Sequence, residues 1–516
     1  MSLPESIRRI YEIYEHRTGK KVKRPDFPDI ENVPAKKSPK HKETKAPVKD
    51  DIEIPVFKTE TFSLHDKIWS YCDYMQNTGG IIAPERDIKL GKVKILELNE
   101  NGILKYETTD TALNSRMTFG ILTLLLGGTM LYFGAPGSGK TAEISGLAHL
   151  GYNAPYDKFK QSVVTCNGEQ TFSDVFAYAD LGELFGPAHR ELFKKHPVLR
   201  SEIIFFDEIE KGNKNVTDRL LELLQDASIT YRGQRFKLFK GPFYFAANSI
   251  TNLSEALVDR VNVIVDAATV DPHFIDMTNN RKNYKQIIEN APHLEKGDLA
   301  AIRKEANSIP LDDETKGFLP FFLSQIKYCI QASKKPERQK KDNLPESERP
   351  SLICTKTNCK YLSESYICNM TTGPVSVRTY QSIYKYTKGF AWLRGARQAT
   401  IKDLKAVLPR ALREKIKPTS HALDKDQSYR TDSVAFIEDL VDKAHESYGD
   451  MVSKLPKYAQ ISDTINSVFI YGTKPGLDAK EIETMMNDLK KVDSPVVAGL
   501  VVTLDYIKSV LSCRKK

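Results

Sequence analysis

An apolar run, "TMLYF" at residues 129–133, leads directly into "GAPGSGKT" and then into a helical stretch, an order that few folds accommodate. Gly134, Gly137 and Gly139 with Lys140 and Thr141 match G-x-x-x-x-G-K-[ST], the pattern of a strand, a glycine-rich loop and a helix in succession. The glycines let backbone N–H groups close around phosphate oxygens at a helix N-terminus. Gly134, Ala135, Pro136, Gly137, Ser138, Gly139, Lys140 and Thr141 are therefore the expected nucleotide-binding residues. Lys140 is placed to neutralise the outer phosphates and Thr141 to coordinate Mg²⁺ through its hydroxyl. From about Thr111 to Asp271 apolar strands alternate with helical patterns, within a nucleotide core expected at 111–305. The expected class is α/β, a P-loop parallel sheet flanked by helices, followed by an all-α lid at 306–420 and a C-terminal helical region at 421–516.

The second chemical element is "SEIIFFDEIE", a buried strand ending in Asp207 and Glu208. A carboxylate at a strand tip beside a phosphate loop can hold the metal, which suits Asp207, while Glu208 can orient and deprotonate an attacking water. The strand of "GPFYFAANS" ends in Asn248, whose amide can hold that water or sense the γ-phosphate; the plainer reading is an Asn closing a strand in a turn. "LSEALVDRVNVIVD" puts Arg260 at the end of a helix leading into a last strand. Asn213-Lys214 is followed by Asn215-Val216 and so does not complete N-K-x-D, which favours ATP over GTP.

These motifs, in this order, resemble the MoxR branch of the AAA+ ATPases over about residues 111–271 and 306–415. The resemblance implies an AAA+ core and lid, with a sensor 1 asparagine at Asn248, an arginine finger at Arg260 that reaches a neighbouring subunit, and a sensor 2 arginine at Arg378. It also implies a homo-hexamer and chaperone-like remodelling of protein partners, one of them with a von Willebrand A domain. The segment between Asn248 and Leu253 is shorter than the usual loop of the branch and lacks its proline.

The hairpin pattern "ASITYRGQRFKLFKG" leaves a second class open. Ile229, Tyr231, Phe236 and Leu238 alternate about Arg232-Gly233, with Arg232, Arg235, Lys237 and Lys240 interleaved. That composition suits phosphates and bases, which with the net charge of +9 allows a nucleic-acid motor or a restriction or replication accessory; a solvated hairpin face is the commoner explanation. The seven cysteines have no small-scaffold spacing. Cys354, Cys359 and Cys368, with Cys329 as the available fourth ligand, form a candidate zinc set whose alternative is free buried thiols.

Residues 1–55 read as an amphipathic helix on a basic tether and 56–110 as a pre-core segment with a hairpin about "NENG". A charged insertion, "KKPERQKKDNLPESERP", interrupts the lid. Residues 119–135 approach membrane-spanning length, but Gly127-Gly128 divides them into a buried helix, a turn and a buried strand. No membrane is expected as a partner. Without a secretory signal, a reducing, cytoplasmic compartment is expected.

Overall fold

Five parallel strands carry the core, in the order β11-β3-β10-β7-β4. They are β3 (Thr129–Phe133), β4 (Val163–Thr165), β7 (Ile204–Asp207), β10 (Phe243–Ala247) and β11 (Val263–Asp266). A parallel sheet covered on both faces needs apolar residues at successive positions, not alternate ones, and all five residues of β10 are buried. Side-chain alternation then sorts them. Tyr132, Phe205, Tyr244 and Val263 enter one apolar cluster. Leu131, Phe206, Phe245 and Ile264 enter the other. Phe245 of β10 is level with Leu131 of β3 and Phe206 of β7, which brings the carboxyl ends of the three strands to one edge, where ligands bind in open α/β sheets.

The computed structural model describes residues 63–77, 86–98, 104–180, 185, 193–237, 241–267, 284–327, 367–471, 477–491, 500–501 and 503–509. All fall within one unit, Ser63–Lys516. The N-terminal helix and tether, the charged lid insertion, Leu238 and Lys240 lie outside the described residues.

Ahead of the core come α1 (Leu64–Asn77) and a hairpin of β1 (Ile88–Leu98) with β2 (Leu104–Leu113), paired antiparallel. The second strand runs three residues past position 110 before the chain enters α2 (Ser115–Leu126). Every residue of α2 from Arg116 to Leu126 is buried. A helix apolar on all sides belongs inside a protein, and α2 stops where Gly127 adopts a left-handed φ of 61° and its N–H caps Leu124 and Thr123. No helix among the described residues is long and apolar enough to cross a membrane.

The glycine-rich loop joins β3 to α3 (Lys140–Tyr152). Two short hairpins flank the sheet, β5 (Ala177–Ala179) with β6 (Phe193–Lys195), and β8 (Ser228–Tyr231) with β9 (Gln234–Lys237); α4 (Lys214–Asp226) precedes the second. Arg232 and Gly233 both have positive φ, 45° and 78°, the conformation a two-residue hairpin turn demands. After α5 (Glu255–Arg260) and β11 the described residues are mainly helical, with α6 (Asp298–Ser308), α7 (Asp313–Lys327), α8 (Val377–Leu393), α9 (Ile401–Leu412), α10 (Ser433–Lys454), α11 (Tyr458–Tyr471) and α12 (Ala479–Lys490).

Helix α8 packs on α9, α6 and α2, and so joins lid to core. The C-terminal helices continue this packing, α10 against α9 and α7, and α11 against α7, within a single apolar cluster. At the junction Asn262 is central: its Oδ1 accepts from Thr129 N at 2.7 Å and its Nδ2 donates to Ser382 Oγ at 2.5 Å. Thr123 Oγ1 and Tyr386 Oη share a buried hydrogen bond of 2.9 Å. Lys415 Nζ donates to Val261 O at 2.6 Å, and burial pushes this ammonium down to about 8.

Candidate functional site: a phosphate loop, three acids and paired arginines

Gly137 and Gly139 hold φ values of 78°, a conformation that glycine adopts without steric cost. Gly134 is required for a different reason: a Cβ there would lie 2.3 Å from the backbone oxygen of Ala267. Ala135, Pro136 and Gly137 form the exposed crest of the loop, while Ser138 is buried and its hydroxyl has no hydrogen-bond partner. Lys140 Nζ donates to Gly134 O at 2.6 Å, Ala135 O at 3.1 Å and Asn248 Oδ1 at 3.1 Å. Burial pushes the Lys140 ammonium below its usual value, against the pull of Asp207 and Glu210. An unpartnered hydroxyl, an ammonium turned onto carbonyls and open space above two glycines fit a phosphate chain.

Thr141 Oγ1 lies 3.2 Å from Asp207 Oδ2, two hard oxygen ligands side by side, which fits Mg²⁺. Asp207 ends β7, and its backbone oxygen accepts from Cys166 N at 2.8 Å. Glu208 follows in a left-handed backbone conformation, φ 52° and ψ 42°. A non-glycine residue there costs on the order of 1–2 kcal/mol, and such strain gathers at functional sites. Its carboxylate is paired with Lys211 at 2.9 Å and is partly exposed. Asn248 stands just past β10, next in the sheet to β7. Its side chain meets Lys140, and its N–H donates to Glu210 Oε1 at 3.0 Å. The structure thus brings Lys140, Thr141, Asp207 and Asn248 together, with Glu208 adjacent on the same turn.

Beneath the loop lies an ion pair that sequence reading missed. Arg116 Nη2 and Glu143 Oε2 are 2.8 Å apart, with side chains 4% and 6% exposed. Tyr132 Oη donates to the other Glu143 oxygen at 3.2 Å. The available signal was a charge at the head of an otherwise apolar run, "SRMTFGILTLLL".

The two arginines expected to act on phosphate occupy one place. Arg260 ends α5, with Nη1 bonded to Ala256 O at 3.0 Å and Nη2 to Gln225 Oε1 at 3.4 Å. Arg378, in the first turn of α8, donates to the same Gln225 oxygen at 3.2 Å and faces Asp259 at 3.7 Å. Arg378 is thus grouped with the other arginine, on partners outside the phosphate loop. The lid arginine that does reach the start of that loop is Arg413, buried, 5.3 Å over the Phe133 ring and 2.6 Å from Asp266 Oδ2. The ion pair runs through its Nη1, while its Nε is buried without a hydrogen-bond partner.

On the basic hairpin, Arg232 lies over the rings of Phe193 and Tyr231, and Arg235 Nε donates to Ser228 Oγ at 2.9 Å; Arg235 and Lys237 are exposed. Of the candidate zinc ligands, Cys329, Cys354 and Cys359 lie outside the described residues. Cys368 is buried, and among the described residues no group of three or more His, Cys, Asp or Glu side chains is arranged to hold a metal ion. Cys72 and Cys166 are buried free thiols, and burial pushes the Cys166 thiol up to about 12, which makes it unreactive.

Residues 130–268 match the family model for the "ATPase family associated with various cellular activities (AAA)". The core is an AAA+ ATPase domain and the protein an ATP-hydrolysing enzyme. No curated protein matches the chain. Among solved structures, a Cytophaga hutchinsonii ATCC 33406 protein described as a "putative ATPase" aligns with a TM-score of 0.48 at 16% identity, covering 74% of this chain and 94% of that one.

Proposed function

We propose that the protein is a MoxR-type AAA+ motor that assembles into a homo-hexameric ring and spends ATP on remodelling or assembling protein partners in the cytoplasm. The observation that carries the reading is the pairing of Arg260 and Arg378 on one amide oxygen of Gln225. Two guanidinium groups held this close repel each other unless an anion joins them, and Asp259 stands 3.7 Å from Arg378. Arg378 is about half exposed, so the pair is accessible to a phosphate brought by a neighbouring subunit. An arginine supplied in this way contributes about 10³ to 10⁵ in rate in related nucleotidases.

Within one subunit, backbone N–H groups of the loop and Lys140 hold the phosphates, Glu208 takes the proton of the attacking water, and Asn248 orients it. Thr141 and Asp207 would hold Mg²⁺, which would neutralise charge on the outer phosphates. Glu208 must leave Lys211 to act. That exchange is cheap, because a surface ion pair three residues apart is screened by solvent and adds little.

Mixing tests the ring. Arg260→Ala subunits bind ATP but leave the neighbour's site without its finger, and Lys140→Ala subunits lack nucleotide. Mixed rings should recover part of the activity that neither variant has alone. Demonstrated mixed rings with no recovery would remove the trans arginine. The client class is read from the same protein: hydrolysis raised by a protein partner and indifferent to DNA supports remodelling. Severalfold stimulation by DNA, lost when Arg235 and Lys237 become Ser, would favour the nucleic-acid motor.

A further inference from the structure

Sequence logic assigns the two acids of a DE pair, metal to Asp207 and water to Glu208, and gives nothing to the next acid, Glu210. The structure gives it a defined place. Asp207 and Glu208 have partners of their own, Thr141 and Lys211. Glu210 turns inward from the short helical turn Ile209–Lys211, and its Oε1 accepts the backbone N–H of Asn248 at 3.0 Å. Its Oε2 is buried with no hydrogen-bond partner. After Asp207, Glu210 is the strongest anionic influence on Lys140, ahead of Glu208.

A carboxylate accepting from a backbone N–H makes a short, strong, charge-assisted bond that fixes the peptide it holds. The peptide held here belongs to the residue whose side chain bonds Lys140 at 3.1 Å. When Lys140 turns to phosphate, the Asn248 carboxamide loses that partner and is free to rotate. Its backbone is not free while Glu210 retains the N–H. We propose that Glu210 is a positioning residue for ATP hydrolysis: it pins the Asn248 backbone so that exchange of Lys140 for substrate reorients only the carboxamide, toward the attacking water. This rests on the ATPase reading and on the role of Asn248. A loop brace without functional consequence is the competing explanation, and it predicts different kinetics.

The test is a kinetic double-mutant cycle on the full chain, using Glu210→Ala, Glu210→Gln, Asn248→Ala and Glu210→Ala/Asn248→Ala, with thermal melting and binding of a fluorescent non-hydrolysable ATP analogue measured in parallel. Glu210→Ala should lower kcat about tenfold or more with analogue affinity within about threefold of wild type, the signature of an interaction used in reaction and not in ground-state binding. Glu210→Gln, whose amide oxygen still accepts from the Asn248 N–H, should keep kcat within about threefold. In the Asn248→Ala background, Glu210→Ala should cost nothing further, since residues acting as one unit are not additive. Wild-type kcat in Glu210→Ala, loss of analogue binding, or kcat losses that multiply in the double variant would each overturn the proposal. If Asn248→Ala itself hydrolyses ATP normally, the Asn248 assignment fails and the proposal with it; if Asn248→Ala is impaired and the losses multiply, only the role of Glu210 fails.

Discussion

Replacing Arg116 by Met tests how the phosphate helix is anchored. At 2.8 Å, Arg116 and Glu143 attract by about 6 kcal/mol at an effective dielectric constant of about 20. Removing two ions from water costs several kcal/mol each, so the pair contributes little net stability compared with two apolar side chains. Breaking it is a different matter. Arg116→Met leaves the Glu143 carboxylate buried with only the Tyr132 hydroxyl, and removal of one partner from such a pair costs about 3–5 kcal/mol. Arg116→Met/Glu143→Gln removes the stranded charge and keeps an acceptor for Tyr132, and should recover more than half of the loss.

A chain of 516 residues with several packed regions is not a two-state unfolder, so the readout is the calorimetric transition of the α/β core. For a unit of about 200 residues, 1 kcal/mol moves Tm by about 2–4 °C, which puts Arg116→Met on the order of 10 °C lower. Nucleotide affinity should fall as well, because Glu143 sits in the first turn of α3, three residues after Lys140. An Arg116→Met protein melting within about 2 °C of wild type, or a double variant no more stable than the single one, would refute the reasoning.

Two further outcomes follow from the same geometry. Gly134→Ala places a methyl group 2.3 Å from the Ala267 backbone oxygen, so the loop must shift; affinity for labelled ADP should drop tenfold or more, and wild-type affinity would show that the loop is looser than described. For Lys415 the folded pKa, about 8, lies below the unfolded value of 10.5, so between those pH values the unfolded chain binds more protons and stability rises with pH. Wild type should therefore gain about 1–3 kcal/mol on Lys415→Met between pH 7 and 10, seen as a change in the difference of their melting temperatures; a pH-independent difference would contradict a buried ammonium.

How much of this was legible in the sequence depends on how local the cause is. The loop from Gly134 to Thr141 is set by glycines and by its own helix start, so its sequence is nearly its structure. The helix, turn and strand of residues 115–133 were legible because Gly127 stops the helix by its own backbone conformation. The hairpin was legible from period-two alternation about Arg232-Gly233, the pair that takes positive φ. The remainder is tertiary. Glu210 acquires meaning only when β10 is laid beside β7, and Gln225 only when α5 and the start of α8 meet at the end of α4. The "DEIE" run did carry a trace of the first, a third acid where two suffice. Nothing local distinguishes Arg378 from Arg413, and the fold places the first beside Arg260 and the second at the base of the phosphate loop.

That placement ties the lid to the nucleotide site by a short mechanical route. The phosphate loop begins at Gly134, whose backbone follows Phe133 and abuts Ala267. Arg413, in the residue after α9, rests on the Phe133 ring and faces Asp266, so one buried guanidinium spans the ends of β3 and β11. Asn262 joins the other end of the same two strands to Ser382 of α8. Lid helices α8 and α9 are thus fastened at both ends of the strand pair that carries the loop. Ala267, which abuts Gly134, follows Asp266 directly, so a shift of the loop would bear first on the strand end that Arg413 holds. Helix α8 also carries Arg378, which shares the Gln225 oxygen with Arg260. In the ring proposed above, these packed helices would be the route by which occupancy of one subunit's site reaches the arginines offered to its neighbour.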